Sequence, residues 1–418
     1  MAFSWKLPRS APKIAFAASV LVLWGTMMFA LRHVYPADGD MIQVQAPWWQ
    51  YMAQHGFGGI ATINDDLGAD YTSIWYFVIF LCEKIGLYSG GHYLEYSIKG
   101  LAMAGTVVAA VATFFIVKTF DKRVDSWRPW IAASLIPFLP AFFFDTLKTN
   151  LPDSIYIALD LLVLLAAIRR RPALAWFILG VAVSFKLMAI YVVPFLVVLY
   201  LVQFSSMKII SRLAPLFSAL GLILMSLPGL IAGQSVFNAT VGMMVERGNS
   251  QGFMGFGIWP ILFSPAWDNV MPQPGPNDKV FEMTLFGLAA ILLILGTLAV
   301  LVLKVRDRAE QVDSMLDLLV VSPVVFFLFM PSQHETYWAL ASVFALLVFV
   351  LRWSKQSFGL LMVFSLVLIE MFMGGRVIPM IVCEYILLAA VIYLSVRIIR
   401  HSAIGRIGAV TPEMMAST

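Results

Sequence analysis

The sequence predicts an all-α polytopic membrane protein of about twelve transmembrane helices, and three observations carry that prediction. Hydrophobic residues make up 61% of the chain and charged residues 12%, with a mean hydropathy of +0.86. Soluble domains are nearer half apolar and a quarter charged. The apolar residues fall in runs long enough for helices to cross about 30 Å of hydrocarbon. No alternating ten-residue pattern points to a β-barrel.

In order, the expected spans are 14–34, 95–117, 130–144, 154–168, 173–189, 190–204, 209–232, 280–303, 315–330, 338–351, 358–373 and 377–396. The first has the flanking charge of a signal peptide. However, it is too long for a typical signal core and ends at Arg32-His33 without a small-residue cleavage site, so it reads as a retained span. The run 71–87 is short and carries Glu83 and Lys84, and it is expected to lie along the membrane surface. With it there, 20 of the 28 Lys and Arg residues share one side, among them Lys118, Arg123, Arg169, Arg170, Arg171, Lys304, Arg352 and Arg397. The positive-inside rule makes that side the cytoplasm and puts both termini there. The net charge of +4 then reports topology and does not point to a nucleic-acid partner. Cys82 and Cys383 are far apart and have no metal-binding spacing.

The chain reads as one integral membrane domain, 1–418. Residues 1–233 form the candidate catalytic module with its first outer loop at 35–94, 234–279 is a long outer loop, and 280–418 are C-terminal helices. In the first outer loop Met41, Val44, Trp48, Tyr51, Met52 and His55 recur near helical spacing. They predict an amphipathic juxtamembrane helix capped by Asp40, kinked at Pro47 and ended by Gly56, Gly58 and Gly59. The 234–279 loop, rich in glycine, proline and aromatic residues, is expected to be a lid or acceptor-binding element.

Four stretches put polar residues at the outer ends of the spans. Asp38-Gly39-Asp40 sets two carboxylates beside hydrocarbon, a costly position unless they are used, and the glycine lets both turn toward one point. Around Asp145, Lys148, Asn150 and Asp153, the last is a candidate helix cap and a candidate site residue. Lys186 in SFKLMAIYVVPF is either a snorkelling lysine or a phosphate ligand. In PSQHETYW, His334 can donate to a phosphate oxygen while Glu335 orients it, and the second histidine of a zinc HExxH motif is missing. Tyr337 and Trp338 also suit an aromatic belt. A secondary transporter or flippase is the competing class, with Lys186, Asp160, Glu370 and Glu384 as a polar path. Because the polar groups gather at one face, the enzyme is favoured, and Asp160, Glu370 and Glu384 are expected to make hydrogen bonds between helices.

Together these stretches resemble the GT-C superfamily of membrane glycosyltransferases, and more narrowly the bacterial relatives of the GPI-anchor second mannosyltransferase. The resemblance rests on Asp38-Gly39-Asp40 followed by WWQYMAQHGFGG, DYTSIWYF from Asp70, LPDSIYIAL around Asp153, SFKLMAIYVVPF around Lys186 and PSQHETY around His334. It covers about the first 340 residues. The chain departs from that pattern at Thr72-Ser73 in place of paired prolines, at Leu151-Pro152 in place of Gly-Gln and at Thr336 in place of arginine.

The resemblance implies transfer of a hexose, such as mannose or glucose, from a polyprenyl-phosphate donor to a glycan or glycolipid acceptor. It places the reaction at the outer face of a bacterial inner membrane, facing the periplasm or exterior, in contact with membrane lipids. Inverting transfer needs a base for the acceptor proton and electrostatic help for the departing phosphate. The expected base is Asp38, with Asp40 as alternate. Lys186 and His334 bind the donor phosphate, and Asp153, Glu335, Asp70 and Tyr337 hold or orient the sugar. No cofactor is required; magnesium or manganese between Asp38, Asp40 and Asp153 is compatible with hard oxygen ligands.

Overall fold

A computed structural model of the chain describes residues 10–31, 45–69, 71–84, 92–123, 125–149, 153–204, 207–242, 257–258, 278–330, 337–372 and 377–407. Among them there is no strand, and every regular element is a helix. The helices are α1 (Ala11–Leu31), α2 (Ala46–His55), α3 (Gly59–Leu67), α4 (Ser73–Lys84), α5 (His92–Phe120), α6 (Arg128–Leu135), α7 (Pro140–Phe144), α8 (Asp153–Ile168) and α9 (Pro172–Phe185). They continue as α10 (Val193–Gln203), α11 (Ile209–Arg212), α12 (Leu216–Ala232), α13 (Asp278–Lys304), α14 (Arg308–Phe329), α15 (Ala339–Arg352), α16 (Lys355–Phe372) and α17 (Met380–Ile407).

Each expected span falls on helix, but their lengths differ. Within α1, α5, α13, α14, α16 and α17 lie six segments long and apolar enough to cross a membrane, and α6 with α7, bent by 41°, would make a seventh. The apolar segments Pro172–Phe185, Leu187–Gln203, Leu216–Ala232 and Ala339–Arg352 are shorter. At 1.5 Å per residue the 14 residues of α9 reach only about 21 Å. The expected boundary at 189/190 is wrong by several residues, because α9 stops at Phe185 and Lys186 is extended, with φ −156° and ψ 131°. A 3-10 segment, Leu187–Val192, then leads into α10.

The chain is therefore an integral, multi-pass, all-helical membrane protein. Its centre is α14, 83% of whose apolar window is buried inside the protein, against 11% for α1. The α1 side chains Val22, Leu23 and Phe29 point outward, as expected where lipid takes the place of a core. At one end of α14, Arg352 bonds Asp313 at 2.8 Å and Asp317 at 2.6 Å. Arg397 reaches the same two carboxylates at 3.2 and 3.4 Å. Two guanidinium groups thus neutralise two carboxylates and tie α14, α15 and α17 together.

Small residues bring other helices into backbone contact, the usual packing device where lipid supplies no hydrophobic drive. A Cβ on Gly180 of α9 would overlap the Ser218 carbonyl of α12, and one on Gly221 would overlap the Phe177 carbonyl. Gly105 of α5 does the same for α8, where a Cβ would stand 2.9 Å from the Ser154 backbone.

The described residues of the first outer loop are helical as predicted, with two corrections: Pro47 does not kink α2, and Gly59, expected to end that helix, begins the further helix α3. Pro47 stands in the first turn of α2, where a missing N–H costs no hydrogen bond, and it does not kink the helix. Gly56, at φ +59°, ends α2, and its N–H bonds the Met52 carbonyl. The chain then turns through Gly56–Gly58 into α3. Asp40, the expected cap, lies outside the described residues. Helix α4 exists and, at 12 residues, is too short to cross. Trp48, Trp49, Met52, Ile60, Trp75, Tyr76 and Ile79 bury α2, α3 and α4 against one another.

Replacing Gly180 or Gly221 with valine should lower the unfolding temperature in detergent by an amount matching roughly 1–3 kcal/mol or more of overpacking. Gly296→Ala, where an added Cβ meets nothing within 4 Å, should leave it unchanged. Equal effects at the three positions would contradict the packing described.

Candidate functional site

The break after α9 places Lys186 in the protein interior, beside the first turn of α8. Its ammonium is bonded to Asp153 Oδ1. Both residues are buried, so Lys186 does not snorkel to the surface. A buried charge must be paired to be tolerated, and each of these supplies the other's partner.

Asp153 does not cap α8 from outside; it is the helix's first residue. Asp145 does the capping, accepting 2.9 Å from the Ser154 N–H and also from the Ser154 hydroxyl. A π-turn over Asp145–Thr149 brings that carboxylate back to the helix start. Negative charge there is favoured by the unsatisfied N–H groups and the helix dipole. The second Asp153 oxygen, Oδ2, is buried and has no hydrogen-bond partner among the described residues.

Aromatic rings close round the ammonium. Lys186 Nζ lies 5.1 Å from the ring centre of Tyr337 and 5.8 Å from that of Tyr156, within cation–π range. Tyr71 is within electrostatic reach of it too. Next to Tyr71, the Thr72 hydroxyl donates to the Ser184 carbonyl, two residues before Lys186. The Tyr71 N–H donates 2.7 Å to the Tyr76 hydroxyl oxygen, and Trp48 packs edge-on against Tyr71 at 5.3 Å. The aromatic first outer loop is thereby fastened to the lysine corner. On the other side of that loop Gln234 donates 2.8 Å to the Ile60 carbonyl, and the Ser73 hydroxyl donates 3.2 Å to Ala239. Tyr51 in α2 is buried, and that burial, then its hydrogen bond to Asp66, raises its phenol above the ordinary value.

Of the expected site residues, the structure brings Asp153, Lys186 and Tyr337 together. Asp38, Asp40, Asp70, His334 and Glu335 lie outside the described residues, as do Asn150 and most of the 234–279 loop. Asp70 adjoins Tyr71 in sequence, and His334 and Glu335 precede Tyr337 by three and two residues. Three residues span at most about 11 Å. Tyr156, Thr72 and the capping role of Asp145 escape a reading of the sequence. Tyr156 had one available signal, because at i+3 from Asp153 it shares a helix face with it.

The three carboxylates expected to bond between helices behave differently. Glu370 accepts from the N–H groups of Val377 and Ile378 at 3.1 and 3.2 Å, and Glu384 accepts from Gly257 at 3.1 Å. Among the described residues both therefore hold backbone. Asp160 is fully buried, and neither carboxyl oxygen has a hydrogen-bond partner among the described residues. Also among the described residues, no three His, Cys, Asp or Glu side chains are grouped to hold a metal ion; Asp38 and Asp40 are not among them.

No protein-family model matches the chain, and no curated protein sequence matches it either.

Removing one member of the buried pair should cost far more than removing both. Lys186→Met or Asp153→Leu alone should destabilise the protein by roughly 3–5 kcal/mol, the typical cost of an uncompensated buried charge. The double variant should recover most of that loss in thermal unfolding. Additive losses would show that the two side chains do not depend on each other.

Proposed function

We propose that the chain is a GT-C-type glycosyltransferase that moves a hexose from a polyprenyl-phosphate donor to a glycan or glycolipid acceptor at the extracytoplasmic face. In this reading about twelve helices cross the membrane, both termini are cytoplasmic, and the active site faces the periplasm or exterior. The observation that carries it is the meeting of chain-distant stretches at Lys186: Asp153 bonded to it, Tyr337 and Tyr156 over it, and the Tyr71-Thr72 corner beside it.

A lysine ammonium has three donors. One is taken by Asp153, and the others suit a phosphate oxygen, helped by His334. Asp153 Oδ2, which has no hydrogen-bond partner among the described residues, offers an acceptor for a sugar hydroxyl. Asp38 takes the proton of the acceptor hydroxyl, with Asp40 as alternate, and the hydroxyl oxygen bonds to the anomeric carbon. The bond from that carbon to the phosphate oxygen breaks, and polyprenyl phosphate leaves with the electron pair, its charge met by Lys186 and His334. Asp70, Glu335 and Tyr337 orient the sugar. If magnesium or manganese takes part, Asp38, Asp40 and Asp153 are its candidate ligands.

A transporter or flippase is the second reading, favoured by the interior Asp160, which has no hydrogen-bond partner among the described residues, and by the helix break at Lys186. Purified protein in liposomes with a polyprenyl-phosphate hexose separates the two. The enzyme releases polyprenyl phosphate in step with acceptor glycosylation, and a flippase moves the intact lipid without cleaving it. Asp38→Asn should lower turnover by about two orders of magnitude or more, as loss of a general base does. Unchanged transfer in both Asp38→Asn and Asp40→Asn would remove these residues from the mechanism.

A further inference from the structure

A second site stands at the opposite chemical extreme, where α1 begins, α5 ends and the bent α6–α7 pair begins. All three belong to segments apolar enough to cross, so their ends mark a membrane surface. Two cavities there, of about 230 and 470 Å³, share Arg123 and Arg128 as walls. The first is completed by Phe120, Asp121 and Val350, and the second by Trp127, Ile131 and Trp353.

The two arginines are held in place. Asp121 takes Arg123 in a two-pronged bond at 2.8 and 2.7 Å and lies 4.0 Å from Arg128. The Arg123 hydrogen bonds keep the Asp121 carboxyl well below the usual carboxylate range, so it stays an anion at physiological pH. The Ser126 hydroxyl adds a bond at 2.6 Å. Arg128 lies over the Trp353 ring at 5.3 Å, within cation–π range. The Arg123 side chain is 66% exposed, so its charge faces out of the protein.

Charge and hydrophobicity together name the occupant. Lys118, Lys122, Arg123 and Arg128 outnumber Asp121 and Asp125 by two, and Lys13, 3.8 Å from Asp125, adds a further cation. Trp127 and Trp353 stay 42% and 45% exposed beside the arginines, the position of rings that sit at headgroup level. Phe16 of α1 packs edge-on to Trp127 at 5.8 Å and, like Ile14, is exposed, continuing the wall toward hydrocarbon. We propose that this groove binds a membrane phospholipid with an anionic headgroup, its phosphodiester on the exposed side of Arg123 and Arg128 away from Asp121, its glycerol against Trp127 and Trp353, and its acyl chains along α1.

The test uses the full-length protein, with phosphatidylglycerol as the anionic lipid and phosphatidylcholine as reference. Native mass spectrometry of wild type should show preferential retention of phosphatidylglycerol. Arg123→Gln with Arg128→Gln should reduce that preference about tenfold or more, given the usual contribution of a basic side chain near an anionic surface. The unfolding temperature in phosphatidylcholine serves as the folding control. If this double variant unfolds early, Trp353→Ala with Trp127→Ala, which keeps every charge, should still weaken retention. A third variant with Arg169, Arg170 and Arg171 changed to glutamine removes more charge from another loop and should keep the preference. Equal loss in that loop variant would mean diffuse surface charge and overturn the site. So would stabilisation by soluble glycerol phosphate as large as that by the lipid, and so would retention unchanged in both groove variants.

Discussion

The Lys186–Asp153 pair is the constraint from which the arrangement of this protein's candidate site follows. Neither charge is tolerable alone in the interior, so α9 must end where its lysine meets the first turn of α8. That requirement accounts for the extended residue between two apolar helices. It also leaves Asp145 to satisfy the N-terminal N–H groups of α8, because Asp153 is already engaged. Tyr156 and Tyr337 then cover the ammonium with ring faces in place of water.

The candidate site is assembled at helix ends on a tightly packed bundle. Gly180 and Gly221 lock α9 to α12, while the ion network of Asp313, Asp317, Arg352 and Arg397 locks α14 to α15 and α17 at the far end. The first outer loop is a small core of its own, rich in Trp and Tyr, fastened by Thr72 to the carbonyl of Ser184. The groove at Arg123 and Arg128 uses the same device at a wetter place: Asp121 organises cations that would otherwise repel each other.

Much of this was legible in the chain before its structure. Apolar runs parted by basic or glycine-rich loops mark the helices, since hydrocarbon admits few other solutions. The sequence around Asp38, Asp153, Lys186 and His334–Tyr337 predicts one site; Asp153, Lys186 and Tyr337 meet, and Asp38 and His334 lie outside the described residues. The break at Lys186 was not legible, because Phe185-Lys186-Leu187 contains neither proline nor glycine; the partner that enforces it is 33 residues away. Pro47 misled for the opposite reason: a proline bends a helix or begins one according to where the first turn falls, and local sequence does not fix that turn. Asp145 and Asp153 both precede an apolar helix, and only the intervening π-turn decides which of them caps it.

The proposed role of Lys186 is to bind a lipid phosphate. The most direct measurement is a cryo-electron microscopy map of the full-length protein in lipid nanodiscs with bound polyprenyl phosphate. The account predicts phosphate density within about 3.2 Å of the Lys186 ammonium, with His334 and Asp38 lining the same cavity. Phosphate density elsewhere, or His334 and Asp38 opening to the opposite side of the membrane from Lys186, would contradict it.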